Sequence, residues 1–217
     1  MIHCGFEIRN PRLPSGAGAY TGKTCIVLGS GGSLFSDIER CKNVLFPAAG
    51  IKKFDVMAIN LSFLGWAGEL EHLVSLHPDR LLHFYELAKG LPIDRMGHIH
   101  THSYVGNIPH VEQAWDIVDV EGTSALFALK VAILLGYERI LCCGIDLDGM
   151  HRFYDNPNMK TANNFSCDGI FIAWQKWSTN PWFKNKVRGV SGRLAKLFGE
   201  PTFEWLRGEE PCLQYPT

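Results

Sequence analysis

The chain has 217 residues and a mass of 24.3 kDa, which at roughly 150 residues per domain leaves room for one generous domain and not for two. Lys and Arg total 21, Asp and Glu total 22, and the net charge is −1, so neither a basic nucleic-acid footprint nor an acidic tail is present and nucleic-acid binding is not expected. With 46% hydrophobic and 20% charged residues, the composition can bury a sizeable core and lies outside the disordered class.

Seven cysteines is an odd number, and Cys142 and Cys143 are neighbours in an apolar run where they cannot easily bridge each other. Reduced thiols and a cytoplasmic location are the expectation. Residues 1–9 carry no apolar signal-peptide core, and the apolar stretch from Ala125 to Leu135 is interrupted by Lys130 and too short to cross a bilayer, so no membrane span is expected.

In chain order, the first 23 residues read as an N-terminal extension. Thr24 to Leu28 is a β-branched apolar run that leads straight into Gly29-Ser30-Gly31-Gly32-Ser33 and then a helix from Leu34 to about Cys41: strand, glycine turn, helix, the opening of a βαβ unit. Asp55 to Ile59 predicts a second strand that stops at Asn60. Leu73 to Leu76 predicts a third that stops at His77-Pro78, before a helix from about Leu81 to Lys89. His98 to Tyr104 reads as a fourth strand, followed by an amphipathic segment from Val111 to Val118. Ser124 to Leu135 is apolar on nearly all sides and so must be a sandwiched helix; Ile140 to Ile145 is a buried-type strand. The Asn-rich stretch from Asp155 to Asp168 reads as a loop or lid, with a lid segment spanning about residues 155–190. A Trp-rich stretch from Ile170 to Trp182, a helix from Ser191 to Phe198 closed by Gly199, and a short strand near Phe203 to Leu206 complete the chain. The alternation predicts an α/β, Rossmann-like, doubly wound and mostly parallel sheet in a single domain with a C-terminal lid or helical segment. Its ligand chemistry is expected at the carboxyl ends of the strands.

The glycine turn is the leading motif, because backbone N–H groups at a strand-to-helix turn can hold a phosphate. It is not the dinucleotide fingerprint, since Leu34 occupies the third glycine position and Asn60, not an acid, ends the second strand. Gly18 to Thr24 has a P-loop look, but Ala17 stands where a P-loop has its first glycine and the segment precedes the strand, so that reading fails. Asp146-Leu147-Asp148 at a strand end has the spacing of a divalent-metal site, yet Asp148-Gly149 is also an ordinary turn dipeptide; the turn reading is preferred and no metal or cofactor is assigned. His98, His100 and His102 alternate onto one strand face, the spacing of a zinc or iron site. Hydrogen-bonded or edge-strand histidines explain the same letters with more weight. Trp174, Trp177 and Trp182 offer a sugar-stacking platform, but near-helical spacing favours core aromatics.

The run from Ser124 to Asp146, SALFALKVAILLGYERILCCGID, resembles a segment of the bacterial lipooligosaccharide sialyltransferase family, and VLGSGGSL resembles that family's Gly-Asn-Gly-Pro-Ser-Leu loop. The similarity extends to a broader Rossmann-like group that includes 6-hydroxymethylpterin pyrophosphokinase-like proteins and polysaccharide-locus proteins, and covers about residues 24 to 154. The resemblance implies that Gly29, Ser30, Gly31, Gly32 and Ser33 approach a nucleotide, that Asn60 and Ser124 match residues contacting it, and that Tyr154 falls where a Tyr stabilises the departing phosphate. His77-Pro78 stands where the family has Asn-Pro, Ser30 where it has the loop Asn, and Asp148 where it has another Tyr. The family's general-base His comes from the lid, and this chain has no His after His151.

The expected function is therefore a transferase that binds a nucleotide or nucleotide-sugar, sialyltransferase-like glycosyl transfer in the first place, with a small-molecule or glycan acceptor as partner. His151 or Asp146 would take the acceptor proton and Tyr154 would support the leaving phosphate. Two alternatives stand beside it: Mg²⁺-dependent diphosphate transfer to a pterin-like alcohol through Asp146 and Asp148, and a non-catalytic nucleotide-binding or assembly protein.

Overall fold

β-branched and apolar residues of Thr24–Leu28 form β3, whose last four side chains are buried, and this strand is the centre around which the sheet is laid. The computed structural model describes residues 2–9, 16–88, 96–102, 111, 113–119, 123–147, 152–155 and 167–210. Before β3, the two-residue strands β1 (Ile2–His3) and β2 (Phe6–Glu7) pair antiparallel. After it come β4 (Asp55–Ile59), β5 (Leu70–Ser75), β6 (Met96–His102), β7 (Gln113–Trp115), β8 (Arg139–Cys143) and β9 (Val187–Gly189). The seven strands from β3 onward are all parallel, in the order β7-β6-β5-β4-β3-β8-β9. The chain thus builds outward from β3 to one edge, then returns to β3's other side through helix α4 (Ser124–Leu135). The order reverses between β3 and β8, and the crevice beyond their carboxyl ends is where such sheets take ligands. This is the α/β, doubly wound single-domain fold that the sequence predicts.

Helices α1 (Leu34–Arg40), α2 (Phe46–Ala49), α3 (Pro78–Ala88) and α8 (Phe203–Arg207) accompany one face of the sheet, over a core that includes Ile26, Leu28, Leu34, Phe84, Leu141 and Trp205. A π-helical turn, Cys41–Leu45, joins α1 to α2. On the other face α4 packs with α5 (Cys167–Ser178), α6 (Pro181–Lys186) and α7 (Gly192–Phe198). Eleven of the twelve α4 side chains are buried, Lys130 among them. Its ammonium is held 3.6 Å from the Trp177 ring centroid and donates to the Val118 and Asp119 carbonyls, so the charge inside an apolar helix is paired rather than bare. Trp174 and Trp177 are core residues and Trp182 packs against the same core, as the preferred reading of their spacing has it.

Several segments differ from the sequence reading. Residues 203–207 form a helix, not a strand, because the Thr202 hydroxyl accepts from the Trp205 N–H (3.0 Å) as an N-cap and Gly208 ends it. The Val111–Val118 segment contributes the edge strand β7, and β9 adds a strand the sequence reading does not contain. The N-terminal segment, read as an extension, sends Phe6 and Ile8 into the core, each 1% exposed. Part of the expected lid, residues 156–166, lies outside the described residues, whereas α5 and α6 fold onto the sheet through Trp174, Trp177 and Phe183. The five described free cysteines are Cys4, Cys25, Cys41, Cys142 and Cys143. No helix among the described residues is long and apolar enough to cross a membrane.

Of the alternating histidines, His102 Nε2 lies 3.0 Å from the Ile117 carbonyl, and His100 joins a hydrogen-bond chain. Trp115 Nε1, a donor only, gives its proton to His100 Nδ1 (3.1 Å), so neutral His100 carries its own proton on Nε2 and donates to His72 Nδ1 (2.9 Å). His72 Nε2 then donates to the Tyr137 hydroxyl (2.8 Å), which donates to Asp55 Oδ2 (2.9 Å), and Lys23 stands 3.5 Å from that oxygen. Burial disfavours a charged imidazole here and lowers His72 to about 2 and His100 to about 3; neighbouring imidazoles add to the shift at both. No group of three or more His, Cys, Asp or Glu suited to a metal is found among the described residues.

Candidate functional site

The carboxyl end of β3 turns so closely over β8 that side chains are excluded. Gly29 N–H donates to the Cys143 carbonyl and Gly31 N–H to the Gly144 carbonyl, both at 2.8 Å. A Cβ at Gly29 would run into the Gly144 carbonyl, and one at Gly31 into the Asp146 carboxylate. The glycines therefore serve close backbone approach to the return strand, a requirement that stands whether or not a ligand binds.

Asp146 belongs to the turn. Its carboxylate accepts from the Ser33 N–H (3.2 Å) and lies against the Ser33 hydroxyl, which also stands 2.7 Å from Asp37 Oδ2. One hydroxyl proton serves one of those two carboxylates at a time. Asp37, 3% exposed, is fixed in turn by the Gly144 N–H at 3.0 Å. Of the turn's amides, Gly29, Gly31, Ser33 and Leu34 are thus occupied within the protein. Ser30 N–H has no partner among the described residues.

Beyond β8 the chain comes back over this turn. Arg152 bridges Gly31 in antiparallel fashion and Phe153 N–H donates to the Ser30 carbonyl at 2.9 Å. Phe153 is seated against Phe35 (ring centroids 5.3 Å) and beside Gly65. Tyr154 follows it, 36% exposed, and the Arg152 guanidinium lies 5.8 Å from the Tyr154 ring. Among the described residues Arg152 has no carboxylate partner and the Tyr154 hydroxyl no hydrogen bond. Arg152 is a residue the sequence reading missed: nothing in its spacing shows that the segment folds back onto the glycine turn.

A second group gathers at the ends of β4 and β5. Asn60 adopts a left-handed backbone (φ 53°) as it starts the 3-10 turn Asn60–Gly65, a conformation Asn tolerates better than most side chains. Its Oδ1 accepts from the Ser75 hydroxyl at 2.8 Å, and Ser75 Oγ in turn accepts from the His77 N–H at 3.0 Å. Ser124, at the start of α4, accepts from the Leu76 N–H at 3.3 Å. Asn60, His77 and Ser124 are therefore brought together, with Ser75, another residue missed in sequence, as the link. His77 is exposed and its imidazole is unpartnered among the described residues. Ser62 ties the two groups, accepting from the Ile59 N–H (2.8 Å) and donating to the Leu28 carbonyl (2.6 Å). With β3 and β4 adjacent and parallel, the two strand ends lie about 5 Å apart. His151 and Asp148 fall outside the described residues.

No family model and no curated protein sequence matches the chain. Two solved structures do match. The sialyltransferase CST-II in complex with trisaccharide acceptor and CMP is similar over 82% of this chain and 86% of its own, with a TM-score of 0.54 and 16% identity. The sialyltransferase CstII from Campylobacter jejuni, in complex with the substrate analogue cytidine-5'-monophosphate, is similar over 84% of this chain and 86% of its own, with a TM-score of 0.55 and again 16% identity. At that identity the likeness is one of fold. It agrees with the sialyltransferase side of the sequence resemblance and does not bear on the pterin side.

Proposed function

We propose that the chain is a nucleotide- or nucleotide-sugar-binding transferase whose reaction is sialyltransferase-like glycosyl transfer. The observation that carries this reading is the return of residues 152–154 onto the glycine turn, which brings Arg152 and Tyr154, whose guanidinium and hydroxyl have no ion pair or hydrogen bond among the described residues, onto the segment that pairs with Ser30 and Gly31. A cation, a hydroxyl and a backbone N–H on one such chain return are the groups that suit a phosphate. The shared fold with proteins crystallised with CMP supports the same assignment.

In this reading Ser30, Gly31, Gly32 and Arg152 hold the nucleotide phosphate, while Asn60, His77 and Ser124 face the nucleoside from the neighbouring strand ends. Tyr154 donates to the phosphate oxygen as the glycosidic bond to it breaks, offsetting the charge that develops there. Asp146, already accepting from Ser33, keeps the turn in shape. The acceptor's hydroxyl proton passes to His151, the residue before Arg152 in the sequence, as its oxygen bonds to the sugar.

Unfolding temperatures with CMP, CDP, UDP, GDP, ATP and CMP-sialic acid, each with and without Mg²⁺, test the reading. A true ligand at about 100 times its Kd adds about 2.7 kcal/mol of stability. CMP and CMP-sialic acid should stabilise without metal. Stabilisation by ATP alone and only with Mg²⁺ would favour diphosphate transfer, and no response to any nucleotide would end the nucleotide assignment.

A further inference from the structure

Two of the buried cysteines meet beneath the glycine turn. Cys41 and Cys143 are both 0% exposed, and their sulfurs stand 3.8 Å apart in thiol–thiol contact. Side chains alternate along a strand, so Cys142 and Cys143 point to opposite faces of the sheet. Cys142 belongs to the core beside α4, while Cys143 shares the core that holds Cys41.

Each member of the pair is built into the turn. Cys143 ends β8, and its carbonyl accepts from the Gly29 N–H at 2.8 Å. The next residue, Gly144, accepts from the Gly31 N–H (2.8 Å) and donates to the Asp37 carboxylate (3.0 Å). Cys41 stands at the far end of α1, the helix that begins in the turn and carries Asp37, and its N–H donates to the Asp37 and Ile38 carbonyls. It also opens the π-helical turn, in which the Phe46 N–H reaches back to the Cys41 carbonyl. Such turns interrupt the α-helical ladder and are frequent at functional sites. β8, by contrast, is paired on both sides, with β3 and with β9. A change in the distance between the two sulfurs is therefore taken up on the Cys41 side.

We infer that Cys41 and Cys143 are a redox-sensitive pair: oxidation by a hydroperoxide joins them in a disulfide that draws the end of α1 toward β8 and shifts the Ser33, Asp37 and Gly144 contacts that shape the glycine turn. The peroxide converts one thiol to a sulfenic acid, its O–O bond breaking and an alcohol or water leaving; the second thiol then displaces water from that sulfur as the S–S bond forms. The sulfurs close from 3.8 Å to about 2.05 Å, an approach that a close-packed core passes on to its neighbours. Burial pushes the Cys143 thiol well above its ordinary value. The pair is therefore inert while covered and reacts through local openings of the π-helical turn. Weaker nucleotide binding after oxidation rests on the proposed function; the disulfide and the shift of the turn do not.

The test exposes the folded whole chain to hydrogen peroxide at doses that oxidise the half-buried Cys4, blocks the remaining thiols with iodoacetamide in denaturant and maps the peptides by mass spectrometry. Amide spectra and CMP titrations are recorded before oxidation, after it, and after dithiothreitol. The expected result is a Cys41–Cys143 link with two hydrogens lost, displaced Gly31, Ser33 and Gly144 amide signals, and CMP bound about threefold or more weakly, all reversed by dithiothreitol. Cys41→Ala and Cys143→Ala should each bind CMP like the reduced parent and keep that affinity under peroxide. The comparison of oxidised with reduced parent chain needs neither variant to fold. Free Cys41 and Cys143 thiols where Cys4 is oxidised, a link of either to another cysteine, or a Cys41–Cys143 link that leaves the turn amides in place overturns the inference. A chain that forms the link and moves the turn but binds CMP in neither state upholds it and ends the nucleotide assignment instead.

Discussion

Across β5 and β6, both ring nitrogens of His72 and of His100, the Trp115 indole and the Tyr137 hydroxyl all have hydrogen-bond partners in the protein; at the carboxyl ends of β3 and β5 and in the segment after β8, the Ser30 amide, the His77 imidazole and the Arg152 guanidinium have no hydrogen-bond or ion-pair partner among the described residues. Both regions are rich in polar groups that the same sheet positions. The first is sealed, each proton assigned in one direction from Trp115 to Asp55, and it belongs to the structure of the protein. The second is left open where parallel sheets take ligands, and there the polar groups are free to meet something else.

Removing the middle of the sealed chain should have the largest effect. His72→Leu takes away the acceptor of the His100 proton, leaving that buried N–H unsatisfied at about 1–3 kcal/mol, and removes one of the two hydrogen bonds of the Tyr137 hydroxyl, worth about 0.5–1.5 kcal/mol, while its bond to Asp55 stays. Urea unfolding should show a loss of about 1.5–4.5 kcal/mol, with nucleotide affinity of the folded fraction unchanged; a loss of affinity at equal folded fraction would tie the two regions together.

The same chain should make stability fall with acid. Burial lowers both histidines, to about 2 for His72 and about 3 for His100. Their stabilising contribution is complete above the unfolded value near 6.5 and is lost as the pH falls from there toward 3, because the unfolded chain binds protons the native chain refuses. Each should cost about 1.4 kcal/mol per pH unit, so going from pH 7.5 to 5.5 should remove about 2.5–3 kcal/mol from the two together. A loss below about 1 kcal/mol would mean that the imidazoles charge in the folded protein.

At the open region, Gly29→Ala should cost about 1–3 kcal/mol through its collision with the Gly144 carbonyl. This is a packing effect and should be seen without ligand. Arg152→Gln should move stability by less than about 0.5 kcal/mol and instead weaken CMP about 10- to 100-fold, the worth of a charge-assisted contact. Equal CMP affinity in Arg152→Gln and the parent chain would remove Arg152 from the site.

The contrast also explains what could be read from the sequence. The strand, glycine turn and helix at Thr24–Arg40, the strand at Asp55–Ile59 and the apolar helix before Arg139–Cys143 are legible because each has a continuous apolar run with a clear stop. The strands β7 and β9 are three residues long and carry no period to detect. The helix Phe203–Arg207 is decided by the Thr202 cap, not by its apolar content. Among the site residues, Asn60, His77 and Ser124 are legible because strand ends and helix starts carry that chemistry. Ser75 sits inside the apolar run Leu73 to Leu76, which hides it, and Arg152 depends on a chain return that no local pattern encodes. The histidines are legible in kind, since hydrogen-bonded imidazoles are the preferred reading of their spacing, but the partner His72, 2.9 Å from His100, lies on the neighbouring strand where no local pattern shows it.

Chemical-shift mapping of the backbone amides during a CMP titration tests the distinction between the sealed and the open region most directly. The account predicts that Ser30, Gly31, Asn60, His77, Ser124 and Arg152 move together with one binding curve while His72, His100 and Trp115 stay in place. Shifts centred on the histidine chain, or no shifts at saturating CMP, would contradict it.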